Sequence, residues 1–311
     1  MSSIASTSDV TAARVREGLV SSKRDVWGIV FQVILLLSLL ASLVVLLVLL
    51  ADVMSKAYPV YAERGLDFLT SPLSSNPDKA GIVQGIVGTA ILAAVVAAVA
   101  FPFGLMTAIY LEEYAPDTRL TRFIQVNIRN LAGVPSVVYG LLGLSVFVTL
   151  FESLGMGNGR NVLAGGATLA VLVLPIVVIT AIEALRAVPI AIREAGYGVG
   201  ASRWEVTRQL VLPAATPGVL TGTVLALSRA LGETAPLLLA GAVLGSFSGI
   251  TIERVFTGSY TALPVIVYDW SRRPQDGFRA DAAAAIVALL VITLFANAIA
   301  IYFRNRYEQT W

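Results

Sequence analysis

The sequence predicts an all-α integral membrane protein with six transmembrane helices. Hydrophobic residues make up 57% of 311 positions and charged residues only 14%, and the mean hydropathy is +0.80. These values lie outside the range of soluble domains. Long uncharged runs occupy most of the chain, leaving no soluble core of comparable size, so one membrane domain is expected. No stretch shows the alternation of barrel strands, and an isolated strand would leave its backbone unpaired in lipid, so the spans are helical.

Six stretches reach the roughly 20 apolar residues needed to cross about 30 Å of hydrocarbon. Residues 1–27 form a tail carrying Arg14, Arg16, Lys23 and Arg24, and the first span follows near 28–51. Its apolar run is longer than that of a signal sequence, and no small-residue cleavage site follows it. The second span lies near 81–111, the third near 130–151 and the fourth near 161–183. A connecting segment at 184–213 precedes the fifth span near 214–245, and the sixth lies near 282–303. Pro102, Pro135, Pro175 and Pro236 are candidate kinks in these spans.

Charge orients the chain. The tail, the segment with Arg119, Arg122 and Arg129, the 184–213 segment and the C-terminus together carry thirteen basic residues against eight in the other loops. Both termini are therefore expected in the cytoplasm. Arg229, inside the fifth span, belongs to neither side. A net charge of +2 gives no reason to expect a nucleic-acid partner. With neither cysteine nor histidine, the chain has no thiolate or imidazole metal site, disulfide or Cys or His nucleophile.

The 184–213 segment reads "ALRAVPIAIREAGYGVGASRWEVTRQLVLP". Pro189 suits the first turn of a short helix, and Gly196, Gly198 and Gly200 end it. Ser202 and Glu205 have capping-box spacing for a second helix, which Pro213 is expected to interrupt. Two short helices across a glycine bend form a basic knob with an aromatic, Trp204. From the residues alone, it either docks on another protein or lies on lipid headgroups.

Glu194, Ala195, Gly196, Gly200, Leu210, Leu212 and Pro213 resemble the E-A-A-x3-G-x9-I-x-L-P loop of ATP-binding-cassette importer permeases, with Gly196 replacing the second Ala and Leu210 replacing Ile. The resemblance implies a type I importer permease of the MetI-like architecture. It also implies that 184–213 is a coupling loop seated on a separate ATPase dimer, with Arg193, Glu194, Ala195, Gly196, Tyr197, Gly200 and Trp204 at or near that contact. A P-loop needs Lys after Gly, yet Lys23, Lys56 and Lys79 follow Ser22, Ser55 and Asp78. ATP and Mg would then belong to the partner ATPase, with no cofactor on this chain.

"AIYLEEYAP" (108–116), "NLAGVPSVVYGLLGL" (130–144), "EALRAVPIAIREAG" (183–196) and "LSRALGETAPLL" (227–238) are further similar to phosphate permeases of the PstA family, and the "GETAP" ending favours that family over its sister PstC. The implied partners are a PstC-like sister permease in a heterodimer, an extracytoplasmic phosphate-binding protein and the lipid of a bacterial plasma membrane.

An Arg near the centre of a membrane helix costs about 2.5–3.5 kcal/mol on insertion scales and is expected to face protein or an aqueous cavity. Arg229 and Glu233, four residues apart, either neutralise each other within a packed interface or serve a substrate. For a substrate, the guanidinium fork matches phosphate oxygens, and the carboxylate accepts the O–H of hydrogen phosphate, which sulfate lacks. Glu233 would also keep the anion from being trapped. Ser228, Tyr139 and Ser136 are further candidate pathway residues, and the small residues Gly218, Gly222, Ala226, Ala230 and Gly232 suit either close packing or a passage. Residues 261–278, with Trp270, are read either as an interfacial anchor or as a docking segment.

Two other classes remain open on sequence: an autonomous ion-coupled transporter or channel using Arg229 and Glu233 as a charge relay, and an intramembrane enzyme or scaffold. The latter is disfavoured because no nucleophile and base stand together in the spans.

Overall fold

The computed structural model describes residues 26–243 and 257–307, without the side chains of Phe303 and Tyr307. Arg14, Arg16, Lys23, Arg24, Arg254 and the end of the expected fifth span at 244–245 lie outside the described residues. Among the described residues the chain is helical throughout, with no strand, and six helices are long and apolar enough to cross a membrane.

Helix α1 runs Val26–Arg64. Residues up to Asp52 form a unit of their own, an almost wholly apolar helix with its side chains exposed. The second unit, 53–311, contains a short helix at Asp67–Thr70, a 3-10 turn at Pro77–Lys79 and the longer elements that position the site. These are α2 (Val83–Tyr114), α3 (Arg119–Ala132), α4 (Ser136–Ser153), α5 (Val162–Arg186), α6 (Ile190–Gly198), α7 (Arg203–Gly232), α8 (Ala235–Leu239), α9 (Leu263–Ser271) and α10 (Asp276–Tyr307).

Helix α5 is the axis of this unit because small residues let its neighbours approach. Gly104 and Val95 of α2 meet Val177 and Gly166, while Gly218 and Gly222 of α7 meet Ala184 and Thr180. The expected small-residue stripe of α7 is thus partly spent on packing. Leu92, Val96, Leu169, Val173, Val177, Ala226 and Ala230 fill the centre. At the end bearing the 184–213 loop, Leu111, Leu185, Val188, Val206 and Val211 form a second cluster. At the opposite end Phe68, Trp270 and Phe278 gather under α9 and the start of α10.

The helix boundaries depart from the sequence reading at three places. The expected third span divides, because α3 ends at Ala132 and α4 begins only after Pro135, whose ring disfavours helical backbone at Val134. Pro213 does not interrupt its helix: α7 continues from Arg203, and a π turn at Thr207–Val211 widens the spiral just before the proline, where the i→i−4 bond is lost. The fifth span stops at Gly232, four residues before Pro236. A proline clashes with the carbonyl four positions earlier, and here the chain turns extended at Glu233 (ψ 121°) before α8.

Trp270 is fully buried, which does not fit the interfacial-anchor reading of the 261–278 segment. Its indole packs between Phe68 and Phe278, with ring centroids 6.4 Å and 5.8 Å away.

Candidate functional site

Arg229 sits in the last turn of α7, where its charge complements the partial negative charge of the unpaired carbonyls. Glu233 follows at the break, its backbone N–H donating to the Ala230 carbonyl at 3.3 Å. The Arg229 Nε lies 3.5 Å from Glu233 Oε1, looser than a charge-assisted hydrogen bond. The guanidinium side chain is 50% exposed and the carboxylate side chain 20%. Among the described residues no hydrogen bond engages the guanidinium, and half of the side chain is left open at the surface of this chain. Interrupted helices of this kind present charged termini to ions in membrane transporters.

The other three candidate pathway residues are held differently. Ser228 donates to the Val224 carbonyl and is bonded to Asn297 of α10, turning it toward a cleft of about 570 Å³ between α7 and α10. That cleft is lined by Leu220, Val224, Leu227 and Ile299, and neither Arg229 nor Glu233 is among its lining residues. Tyr139 is buried, and its hydroxyl donates to the Leu131 carbonyl at 2.8 Å, closing the turn between α3 and α4. Ser136, at the first residue of α4, is half-buried. Ser228 is the sequence neighbour of Arg229, and α4, which carries Ser136 and Tyr139, packs through Gly140 against Pro236 and Leu239 of α8, the short helix that follows Glu233.

The 184–213 loop folds as two helical pieces across a bend. Gly200, with φ +85°, ends α6, and the Gly200 and Ala201 N–H groups donate to Tyr197 and Gly196 carbonyls. Ser202 and Glu205 form the capping box of α7. Ile190, Tyr197, Val199 and Trp204 are exposed apolar side chains here, with Glu194 and Ala195 also exposed.

Gly196 is buried, and a Cβ on it would stand 2.8 Å from both Leu210 Cδ1 and Val206 Cγ2. The two departures from the importer loop pattern therefore touch: Leu210 occupies room that a second alanine would fill. Gly196→Ala alone is expected to gain little of its roughly 1 kcal/mol helix preference, because Leu210 and Val206 must shift. Adding Leu210→Ile should recover stability relative to Gly196→Ala, read as the melting temperature of the solubilised protein.

Arg193 does not join the exposed face. It is half-buried against the end of α2, with Nη2 2.8 Å from Glu113 Oε1 and further bonds to the Val188 and Leu185 carbonyls. Glu112 bonds Arg186 at 2.9 Å. The sequence reading missed Glu112, Glu113 and Asn297. Two adjacent acids closing an apolar run, and an amide within the last span, were the available signals.

The fold is that of a multi-pass membrane protein, with six helices long and apolar enough to cross a bilayer among the described residues. Residues 100–309 match the family of binding-protein-dependent transport system inner membrane components, and the chain belongs to that family. Among its relatives, phosphate transport system permease protein PstA 1 of Mycobacterium tuberculosis is 35% identical over 68% of this chain and 67% of the relative. PstA of Mycobacterium leprae is 32% identical over 88% and 87%, and PstC of Mesorhizobium japonicum 31% over 86% and 88%. The expected likeness to phosphate permeases is met. In fold, the chain is similar to the MetNI methionine transporter (TM-score 0.59, 17% identity, covering 73% of this chain and 96% of that one) and to a bacterial alginate transporter (0.61, 17%, 91% and 99%).

Proposed function

We propose that this chain is one permease subunit of an ATP-driven phosphate importer in a bacterial plasma membrane, with both termini cytoplasmic. Its partners in this reading are a PstC-like sister permease, an ATPase dimer that holds ATP and Mg, and an extracytoplasmic phosphate-binding protein. One observation carries the substrate reading: a half-exposed guanidinium at a helix break, held only loosely by its neighbouring carboxylate. The kinship with phosphate permeases supports it.

The two charges divide the work. Arg229 offers the anion a planar fork where hydrocarbon would repel it, and Glu233 accepts the O–H of hydrogen phosphate while weakening the grip enough for release. Ser228, Tyr139 and Ser136 are further pathway residues, of which Ser228 also ties α7 to α10 and Tyr139 ties α4 to the end of α3. On the loop, Glu194, Ala195, Tyr197 and Trp204 form the ATPase-facing surface, Gly196 and Gly200 shape it, and Arg193 holds it from behind.

Reconstitution with the sister permease, binding protein and ATPase tests the reading by labelled phosphate uptake. Uptake should require all partners and ATP; uptake by this chain without the ATPase would instead favour an ion-coupled transporter. Glu233→Gln should lower the preference for phosphate over sulfate by at least about tenfold, because an amide can donate to an oxygen that carries no proton. An unchanged preference would remove the carboxylate from selectivity.

A further inference from the structure

The last turn of α2 reads "YLEEY", residues 110–114, and it is a π turn closed by the Ala115 N–H donating to the Tyr110 carbonyl at 2.7 Å. An i→i+5 turn holds more residues per revolution than an α-helix, so consecutive side chains fan over a narrower arc. Three consecutive residues use that arc to hold three arginines from a distant part of the chain. Glu112 bonds Arg186 at the end of α5, and Glu113 bonds Arg193 of α6. The ring of Tyr114 lies 5.3 Å beneath the guanidinium of Arg203, the first residue of α7.

The middle pair is the strongest. Glu113 is 5% exposed and Arg193 17%, and Arg193 also donates to the Val188 and Leu185 carbonyls, capping the end of α5 and the turn into α6. A buried charge pair of this kind adds little net stability, yet breaking it leaves one charge unpaired, so it acts as a positional lock. Leu111 beside it is anchored among Leu185, Val188 and Val206. Between them these contacts tie α5, α6 and the start of α7 to one turn of α2.

We propose that this π turn is the strut through which displacement of the 184–213 loop reaches the second span, with Glu113 and Arg193 as its positioning residues and the Glu112–Arg186 and Tyr114–Arg203 contacts as side braces. The inference rests on the reading that the loop seats on an ATPase. In that case a rigid link is required between the seat and the membrane helices, and α6 makes its buried ionic contact here, not with its own flanking helices. A closure that pushes on α6 would then move α2 and α5 as one body, a rigid-body transfer between packed elements.

The test uses the full complex in liposomes, measuring phosphate uptake and ATP hydrolysis on the same preparation. Glu113→Gln should assemble and hydrolyse ATP, with phosphate carried per ATP reduced by roughly tenfold, the scale of coupling mutations. The exchanged pair, Glu113→Arg with Arg193→Glu, should recover part of that ratio. A role confined to folding would lower uptake and hydrolysis in proportion, and that result, like an unchanged ratio, overturns the strut. Should Glu113→Gln fail to assemble, Glu112→Gln on the more exposed brace is judged by the same ratio, with a smaller loss expected and an unchanged value overturning the proposal. Wild-type complex without ATP-driven uptake would overturn the underlying reading and the strut with it, whereas normal wild-type uptake beside an unaltered ratio in the variants overturns the strut alone.

Discussion

Arg229→Lys is expected to cut phosphate uptake by the assembled transporter roughly 10- to 100-fold, because losing one charge-assisted hydrogen bond is worth about 1.5–3 kcal/mol. Lysine keeps the charge but replaces a planar fork of donors with a compact, strongly hydrated ammonium. The change should fall on transport alone. Arg229 lies in the last turn of α7, far along the helix from the loop at its start, and its only ionic partner is Glu233 among the described residues. Basal ATP hydrolysis by the complex should therefore be unaltered, and comparing initial uptake rates with hydrolysis separates the two. Equal uptake by the lysine variant would mean that charge suffices and the fork is irrelevant.

Trp270→Ala should produce the largest loss of stability, roughly 3–5 kcal/mol for an aromatic removed from a packed interior. Trp270 is 0% exposed, lies between Phe68 and Phe278, and closes the cluster at the end of the molecule remote from the 184–213 loop. Around it Arg64 stacks on Phe68 at 5.0 Å while pairing with buried Asp281, and Arg273 stacks on Phe278 at 4.4 Å. A cavity there would loosen α1's end, α9 and α10 together. Among the described residues the indole Nε1 has no hydrogen-bond partner, so Trp270→Phe removes volume without orphaning a polar group and should cost much less. Trp204→Ala, at a half-exposed position, should change stability by less than about 0.5 kcal/mol. Thermal melting of the solubilised protein orders the three.

The helical membrane class was legible because hydrocarbon thickness leaves a direct imprint on composition: about twenty apolar residues per crossing, interrupted by charged loops. Capping chemistry was legible for the same local reason, and Ser202 with Glu205 forms the box its spacing implies. Proline was only half legible. Pro236 ends a helix four residues upstream, whereas Pro213 is absorbed by a π turn, and the difference lies in how the preceding turn can widen. The Arg229 and Glu233 pair could be read from its cost in lipid, but the break that frees the guanidinium could not.

Pairings across long separations left no local trace. Glu112 and Arg186 are 74 residues apart and Glu113 and Arg193 80, so nothing in either segment names the other. Arg193 beside Glu194 looked like part of one exposed face, yet on a helix adjacent residues point about 100° apart. One faces the interior and its neighbour faces out. Trp270 misled for a related reason: a Trp among charges suits an interface, and only the approach of Phe68 from a remote segment turns it into core.

The central claim is that the Arg229 position faces the route taken by the anion, and the absence of cysteine from the chain makes it directly measurable. A single Arg229→Cys substitution in the reconstituted transporter should react with a small, charged, membrane-impermeant thiol reagent, and phosphate with ATP should alter the rate of that reaction. A thiol that stays unreactive in every state of the cycle, or whose reaction ignores phosphate, would contradict it.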